Sequence, residues 1–317
     1  MQLLQAQQEK GNFVCVGLDS DVKKLPKHLV DELGIFGAQL EFNKRIIDAT
    51  KDFAGAYKPN LAFYKGPTGK EVLRKTIAYI NEVAPDIPVI LDAKYGDIGN
   101  TNDGYVDEVE IYGADAVTIH NYMGMEAMKP FLDQANKGVI VLCRTSNPGA
   151  GEIQDVMCEP VLHRITGKLY STPSELRREE GFSEDTVIFD LVEARMPLYL
   201  FVAHRVVQSW NYNRNCLMVV GATSPNELAE VRKVAGLMAL LLPGIGAQGG
   251  KMEPTLDAGQ NTQGKGMSIN NSRSVLFAYM DDDEFSDEMF DMSARKVGIQ
   301  MHNAIRSHLG LEITTTV

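Results

Sequence analysis

The sequence is short of cysteine, of long apolar runs and of basic charge, and each shortage removes a class of protein. Only four cysteines occur (Cys15, Cys143, Cys158 and Cys216), with no C-x-x-C among them, so neither a disulfide framework nor a cysteine metal site organises the chain. Three of the four lie in apolar, strand-like stretches, where a reduced, buried thiol is the expected state. No run reaches the ~18 uninterrupted apolar residues of a membrane span. The first residues, MQLLQAQQEKGN, lack the basic and apolar regions of a signal peptide. A cytoplasmic location without membrane contact is therefore expected. The 31 Lys and Arg are outnumbered by 42 Asp and Glu, a net charge of −11, which argues against a nucleic-acid partner. An anionic small substrate would need local cations. There is no G-x-S-x-G elbow, no arguable Cys/His pair and no carboxylate set at ligand spacing around His120, so neither a serine hydrolase nor a metal site is expected.

What is present is ordinary globular composition, 44% hydrophobic, and a repeated pattern. Apolar, β-branched runs at residues 13–18, 55–58, 89–93, 116–120, 139–143, 216–222, 237–242 and 267–270 alternate with segments of helical period such as 69–83, 126–135 and 226–235. Runs apolar on both faces are strands covered by helices, hence parallel. Eight β runs, a closing helix near 285–309 and no linker predict one (β/α)₈ TIM barrel domain over residues 1–317, the alternative being an open doubly wound sheet. The stretch from Cys143 to Cys216 exceeds the ~30 residues of one βα unit. Residues 149–197, with the charged LRREEGFSEDT, read as a loop insertion after strand five, and 198–210 as that unit's helix around Trp210. The acidic run 281–284 reads as a solvated turn.

In such barrels the chemistry sits at the C-terminal ends of the strands. Those ends carry Asp19, Lys58-Pro59-Asn60, Asp92-Ala93-Lys94, His120 and Arg144-Thr145-Ser146. Asp92 and Lys94 are two apart on a strand and leave the same face, with Lys58 on the neighbouring strand. Buried Asp and Lys are almost never unpaired, so the three form either a structural ion network or a catalytic array. After strand seven, Gly244, Gly246 and Gly249 spell G-x-G-x-x-G. The dinucleotide reading fails because the motif lies in the seventh unit and the following KMEPTLDAGQNTQGKG shows no apolar helix. A glycine loop there, with Arg273 after strand eight, fits the phosphate site of these barrels instead. The bland alternatives are a mobile loop and a helix-surface ion pair of Arg273, and for His120 a hydrogen-bonded residue of the rim.

Leu91–Thr101 (LDAKYGDIGNT) resembles the D-x-K-x-x-D-I-x-x-T signature of the orotidine 5′-phosphate decarboxylase family. The resemblance extends through Val16-Gly17-Leu18-Asp19, Lys58-Pro59-Asn60, Ser146-Asn147-Pro148-Gly149, residues 243–250 and Ser272-Arg273-Ser274; the long stretch after strand five is similar to that of the family's longer subgroup. It implies a homodimeric barrel, without metal or cofactor, that converts orotidine 5′-monophosphate to uridine 5′-monophosphate and CO₂, the last step of pyrimidine synthesis. By the same resemblance Lys58, Asp92 and Lys94 form the array, Asp97 comes from the other subunit, and Lys94 protonates C6. Asp19, Lys58 and the partner-facing Thr101 would hold ribose, with Asn60 in the same substrate-binding set. Ser146 and Gln248 would contact the base, and Arg273 with the backbone around Gly250 or Ser272 the phosphate. The competing reading is a Mg²⁺-dependent sugar-phosphate decarboxylase or aldolase on a related barrel. A nucleotide sensor is a third.

Overall fold

A computed structural model describes residues 1–313 apart from 165, 184–187, 189–190 and 246–248. Eight parallel strands, β1 (Val14–Gly17), β2 (Ala54–Lys58), β3 (Ile90–Tyr95), β4 (Ala116–Ile119), β5 (Gly138–Arg144), β6 (Cys216–Val220), β7 (Leu240–Pro243) and β8 (Met267–Asn271), stand in the order β2-β1-β8-β7-β6-β5-β4-β3. The two ends of that order meet. Tyr57 donates its amide to Pro88 O at 3.0 Å, and Asp92 donates its amide to Pro59 O at 2.9 Å, so the sheet closes into a barrel and the open-sheet alternative falls. All eight apolar runs became strands, within a few residues at each end.

Period-two alternation sorts the strand residues. Cys15, Ala56, Ile90, Ala116, Ile140, Leu217 and Ala239 point inward and pack as one layer. Their neighbours, such as Val14, Tyr57, Leu91 and Val141, point outward against the helices. Helices Lys27–Thr50, Gly66–Val83, Pro225–Ala235 and Phe290–His308 supply that outer ring. The N-terminal segment, which the sequence reading passed over, is the helix Gln2–Glu9. It plugs the barrel floor with Leu4, and Gln8 Nε2 donates to Met267 O at 2.8 Å.

Three expectations need correction. The segment after the glycine loop does form a helix, Met252–Gly259, but it buries only Thr255, Leu256 and Gly259, too little to show a helical stripe. The insertion is more than a loop. Val161–His163, Lys168–Tyr170 and Leu191–Glu193 form a small antiparallel sheet, and Pro173–Glu180 a helix. Arg205 ties that helix to the barrel through Glu175 at 2.8 Å and Glu179 at 3.2 Å. In the acidic run, Asp282 is not a freely solvated residue: it accepts from Ser293 Oγ at 2.8 Å and pairs with Lys296 at 3.2 Å. Trp210 is buried as expected, in the widened last turn Val206–Trp210 that follows Leu198–Arg205.

Candidate active site

Two residues beyond the inward-pointing layer, the same pleat lifts Lys58, Asp92, Thr118, Leu142, Val219 and Leu241 to the floor of a cavity of about 530 Å³ at the C-terminal mouth. Half of that floor is apolar and half is charged or polar. Lys58 Nζ donates to Asp92 Oδ2 at 2.7 Å and lies 4.0 Å from Asp19 Oδ1. Lys94 Nζ donates to the other oxygen, Asp92 Oδ1, at 2.6 Å, and Thr118 Oγ1 donates to that oxygen at 2.9 Å. Burial alone would push the Asp92 carboxyl up. The two ammonium groups outweigh it and hold the group well below the usual carboxylate range. Burial likewise pulls on Lys58, but Asp92 and then Asp19 overcome it and raise its pKa above that of an ordinary lysine. Asp92 and Lys58 are therefore both ionised at neutral pH.

Lys94 is the exposed end of this array, and its backbone is strained: φ is +52°, a value shared among the described non-glycine residues only by Arg214 at +56°. Left-handed backbone at a lysine costs about 1 kcal/mol or more and persists where surrounding structure enforces it. Two further acceptors are unsatisfied. Asp19 Oδ1 and Asn270 Oδ1 are buried with no hydrogen-bond partner, and both residues line the cavity. Hydroxyl or amide donors of a bound molecule would satisfy them.

The walls are held by close approaches. A Cβ on Gly221 would lie 2.9 Å from Ser146 Cα, so only glycine lets the β5 loop bring Ser146 into the cavity. On the opposite side His120 Nε2 bonds Gly96 O at 3.0 Å, where a Cβ on Gly96 would sit 2.2 Å from that nitrogen. His120 is a hydrogen-bonded rim residue and holds the loop that carries Asp97. Asn60, Ser272 and Arg273 also line the cavity. Arg273 is exposed and its guanidinium makes no ion pair or hydrogen bond among the described residues, which removes the surface-ion-pair alternative.

Three expected site residues, Asp97, Thr101 and Gly250, stand apart from that lining. Asp97 accepts from the Ile98 amide at 2.7 Å, and Thr101, on the first turn of Gly99–Tyr112, is exposed; neither lines this chain's own cavity. Gly250 donates its amide to Gly244 O at 3.0 Å. Gln248 lies outside the described residues.

The profile of the orotidine 5'-phosphate decarboxylase / HUMPS family matches residues 12–282. The chain belongs to that family. Curated relatives named orotidine 5'-phosphate decarboxylase include one from Janthinobacterium sp. (strain Marseille), 41% identical over 95% of this chain and 96% of its own length. Another, from Cupriavidus necator, is 41% identical over 97% of each. Among solved structures, the Leishmania donovani OMP decarboxylase superposes with a TM-score of 0.70 at 33% identity, over 96% of this chain and 98% of its own.

Sequence reasoning missed four residues that line this cavity. Thr118 stands in register with Ala116 on β4, and polarity in an otherwise apolar run was its only signal. Asn270 and Asn271 close β8 with the same kind of signal. Gln154 had none. It reaches the cavity because its Oε1 accepts from the Thr145 amide at 2.8 Å and its Nε2 donates to Thr145 Oγ1 at 2.8 Å.

Proposed function

We propose that this chain decarboxylates orotidine 5′-monophosphate to uridine 5′-monophosphate and CO₂. The observation that carries the reading is the Lys58–Asp92–Lys94 array at the floor of one cavity, with an unpaired arginine at its edge. A nucleotide fits that spacing of charge: pyrimidine over the array, ribose hydroxyls on Asp19 and Asn270, base edge near Ser146, phosphate on Arg273. The C6–carboxylate bond breaks, CO₂ departs, and the electron pair stays on C6. Lys94 gives its proton to C6 and regains one from water. Because the pair at C6 is poorly delocalised, a fixed ammonium beside it lowers the barrier electrostatically, and Asp92 and Lys58 fix that ammonium.

Asp97 and Thr101 complete the site of a second copy in this reading, so the working unit is a homodimer with shared active sites. Their place outside their own chain's cavity supports it. So does the apolar rim beside them, where Ile98, Met123 and Tyr122, the last 87% exposed, stand in solvent. A single barrel domain over 1–317 with 149–197 inserted, and a cytoplasmic location compatible with buried free thiols, belong to the same proposal. Among the described residues no helix could cross a membrane.

The Mg²⁺-dependent alternative is disfavoured by the donor set. Lys58 Nζ occupies the space between Asp19 and Asp92 that a cation would need, and no cluster of three or more metal-binding side chains exists among the described residues. The test is loss of the orotidine monophosphate chromophore on mixing with enzyme, in the presence and absence of excess chelator. Turnover that chelator leaves unchanged is expected. No turnover, or turnover abolished by chelator, overturns the reading.

Arg273→Ala should lower kcat/KM for the nucleotide by about two orders of magnitude, the worth of a charge-assisted phosphate contact. Decarboxylation of the phosphate-free nucleoside should hardly change. Equal loss on both substrates would make Arg273 structural.

A further inference from the structure

We infer that Thr118 is the positioning residue that holds Lys94 in its strained, proton-delivering conformation; the inference rests on the decarboxylase reading of the same site. The reason lies in the strand register. β3 pairs with β4 through Ile90↔Ala116 and Leu91↔Val117, and pairing resumes only at Tyr95↔Ile119. Three residues, Asp92, Ala93 and Lys94, thus stand opposite the single residue Thr118. A bulge of this size leaves backbone amides without ladder partners, and a buried amide needs one.

The side chain of Thr118 supplies what the β4 backbone cannot. The Lys94 amide donates to Thr118 Oγ1 at 2.9 Å. The hydroxyl has one proton, and it goes to Asp92 Oδ1 at 2.9 Å, the oxygen that also receives Lys94 Nζ. One hydroxyl, on a residue 1% exposed, therefore fixes Lys94 at both ends: its backbone directly and its ammonium through Asp92. Without that acceptor the Lys94 amide has no partner, the φ of +52° loses its support, and the ammonium is freed from its place above the cavity floor. Thr118 does not carry the proton. It acts through Lys94.

The substitution that isolates this role is Thr118→Val, which keeps the shape and deletes the hydroxyl. In the proposed reaction kcat should fall roughly 10- to 100-fold, while KM and the affinity for uridine monophosphate stay within about threefold, because phosphate and ribose contacts lie elsewhere. Thr118→Ser restores the hydroxyl and should return kcat to within about threefold of the parent. A merely structural role would instead lower the thermal midpoint and leave kcat per folded site unchanged. A kcat for T118V close to the parent's overturns the inference, as does a T118S protein as slow as T118V, because the restored hydroxyl would then restore nothing. Should T118V not fold, Thr118→Ala against Thr118→Ser gives the same comparison: a slow alanine variant beside a fast serine variant supports the role, and equal rates overturn it. If the parent itself fails to turn over orotidine monophosphate, the decarboxylase reading fails instead.

Discussion

Lys94→Ala protein is expected to bind uridine monophosphate as the parent does and to decarboxylate roughly 10⁴-fold more slowly or worse. Two contributions vanish together. The fixed positive charge beside C6 stabilises the developing carbanion, a term worth ~10²–10³ in comparable sites, and the proton donor itself contributes ~10²–10⁴. Binding survives because Arg273 and the unsatisfied Asp19 and Asn270 oxygens lie away from the lysine. Folding should survive too, since the side chain is half exposed and Asp92 retains Lys58 at 2.7 Å. Calorimetric titration of the product beside single-turnover kinetics checks both halves. A variant that keeps more than a few per cent of kcat removes Lys94 from proton delivery.

The second large effect is a gain. Asp97→Ala should be nearly inactive by itself, as Lys94→Ala is. Unfolded together and refolded at random, about half of the dimers should be mixed; in each, one site carries both lesions and the other carries neither. Activity should recover to about one quarter of the parent's. The geometry gives the reason, since Asp97 spends its carboxylate on the Ile98 amide at its own loop and does not line its own cavity. If Asp97 served its own chain, every site would keep one lesion and mixing would restore nothing. Subunit exchange followed by mass labelling of one parent makes a null result decisive against site sharing, and the decarboxylase assignment would stand.

The barrel was legible because its strands are buried on both faces, and so appear as unbroken apolar runs that no other element of this length produces. The floor plug was not. Gln2–Glu9 is buried through Leu4, Gln7 and Gln8, and two of those three make their case by hydrogen bonds instead of hydropathy. The insertion's strands are two or three residues long, too short to show a period. Its helix was readable all the same: Thr172 accepts from the Glu175 amide while Glu175 Oε2 accepts from the Ser171 amide, close to the capping-box pattern T-x-x-E that opens Thr172-Pro173-Ser174-Glu175. In the site, charge at strand ends betrayed Lys58, Asp92 and Lys94. Thr118 escaped because its role depends on a register shift between β3 and β4, and register is a property of two strands that neither one spells.

Lys58 wedged between Asp92 and Asp19 also constrains how this site can drift over generations. Replacing Lys58 alone leaves the buried Asp92 and the partly buried Asp19 facing one another, and losing one partner of a buried pair costs ~3–5 kcal/mol. Replacing Asp92 first strands the Lys58 ammonium, whose other carboxylate, Asp19, stands 4.0 Å away, at similar cost. The three positions are strongly epistatic, so a lineage moving from charge-array chemistry to a cation-binding pocket must cross a valley of poorly folded intermediates or change two positions at once. Variation should instead accumulate at Ser146 and Arg273, whose side chains stand singly and can be exchanged one at a time, so new substrates are easier for this barrel to acquire than new chemistry.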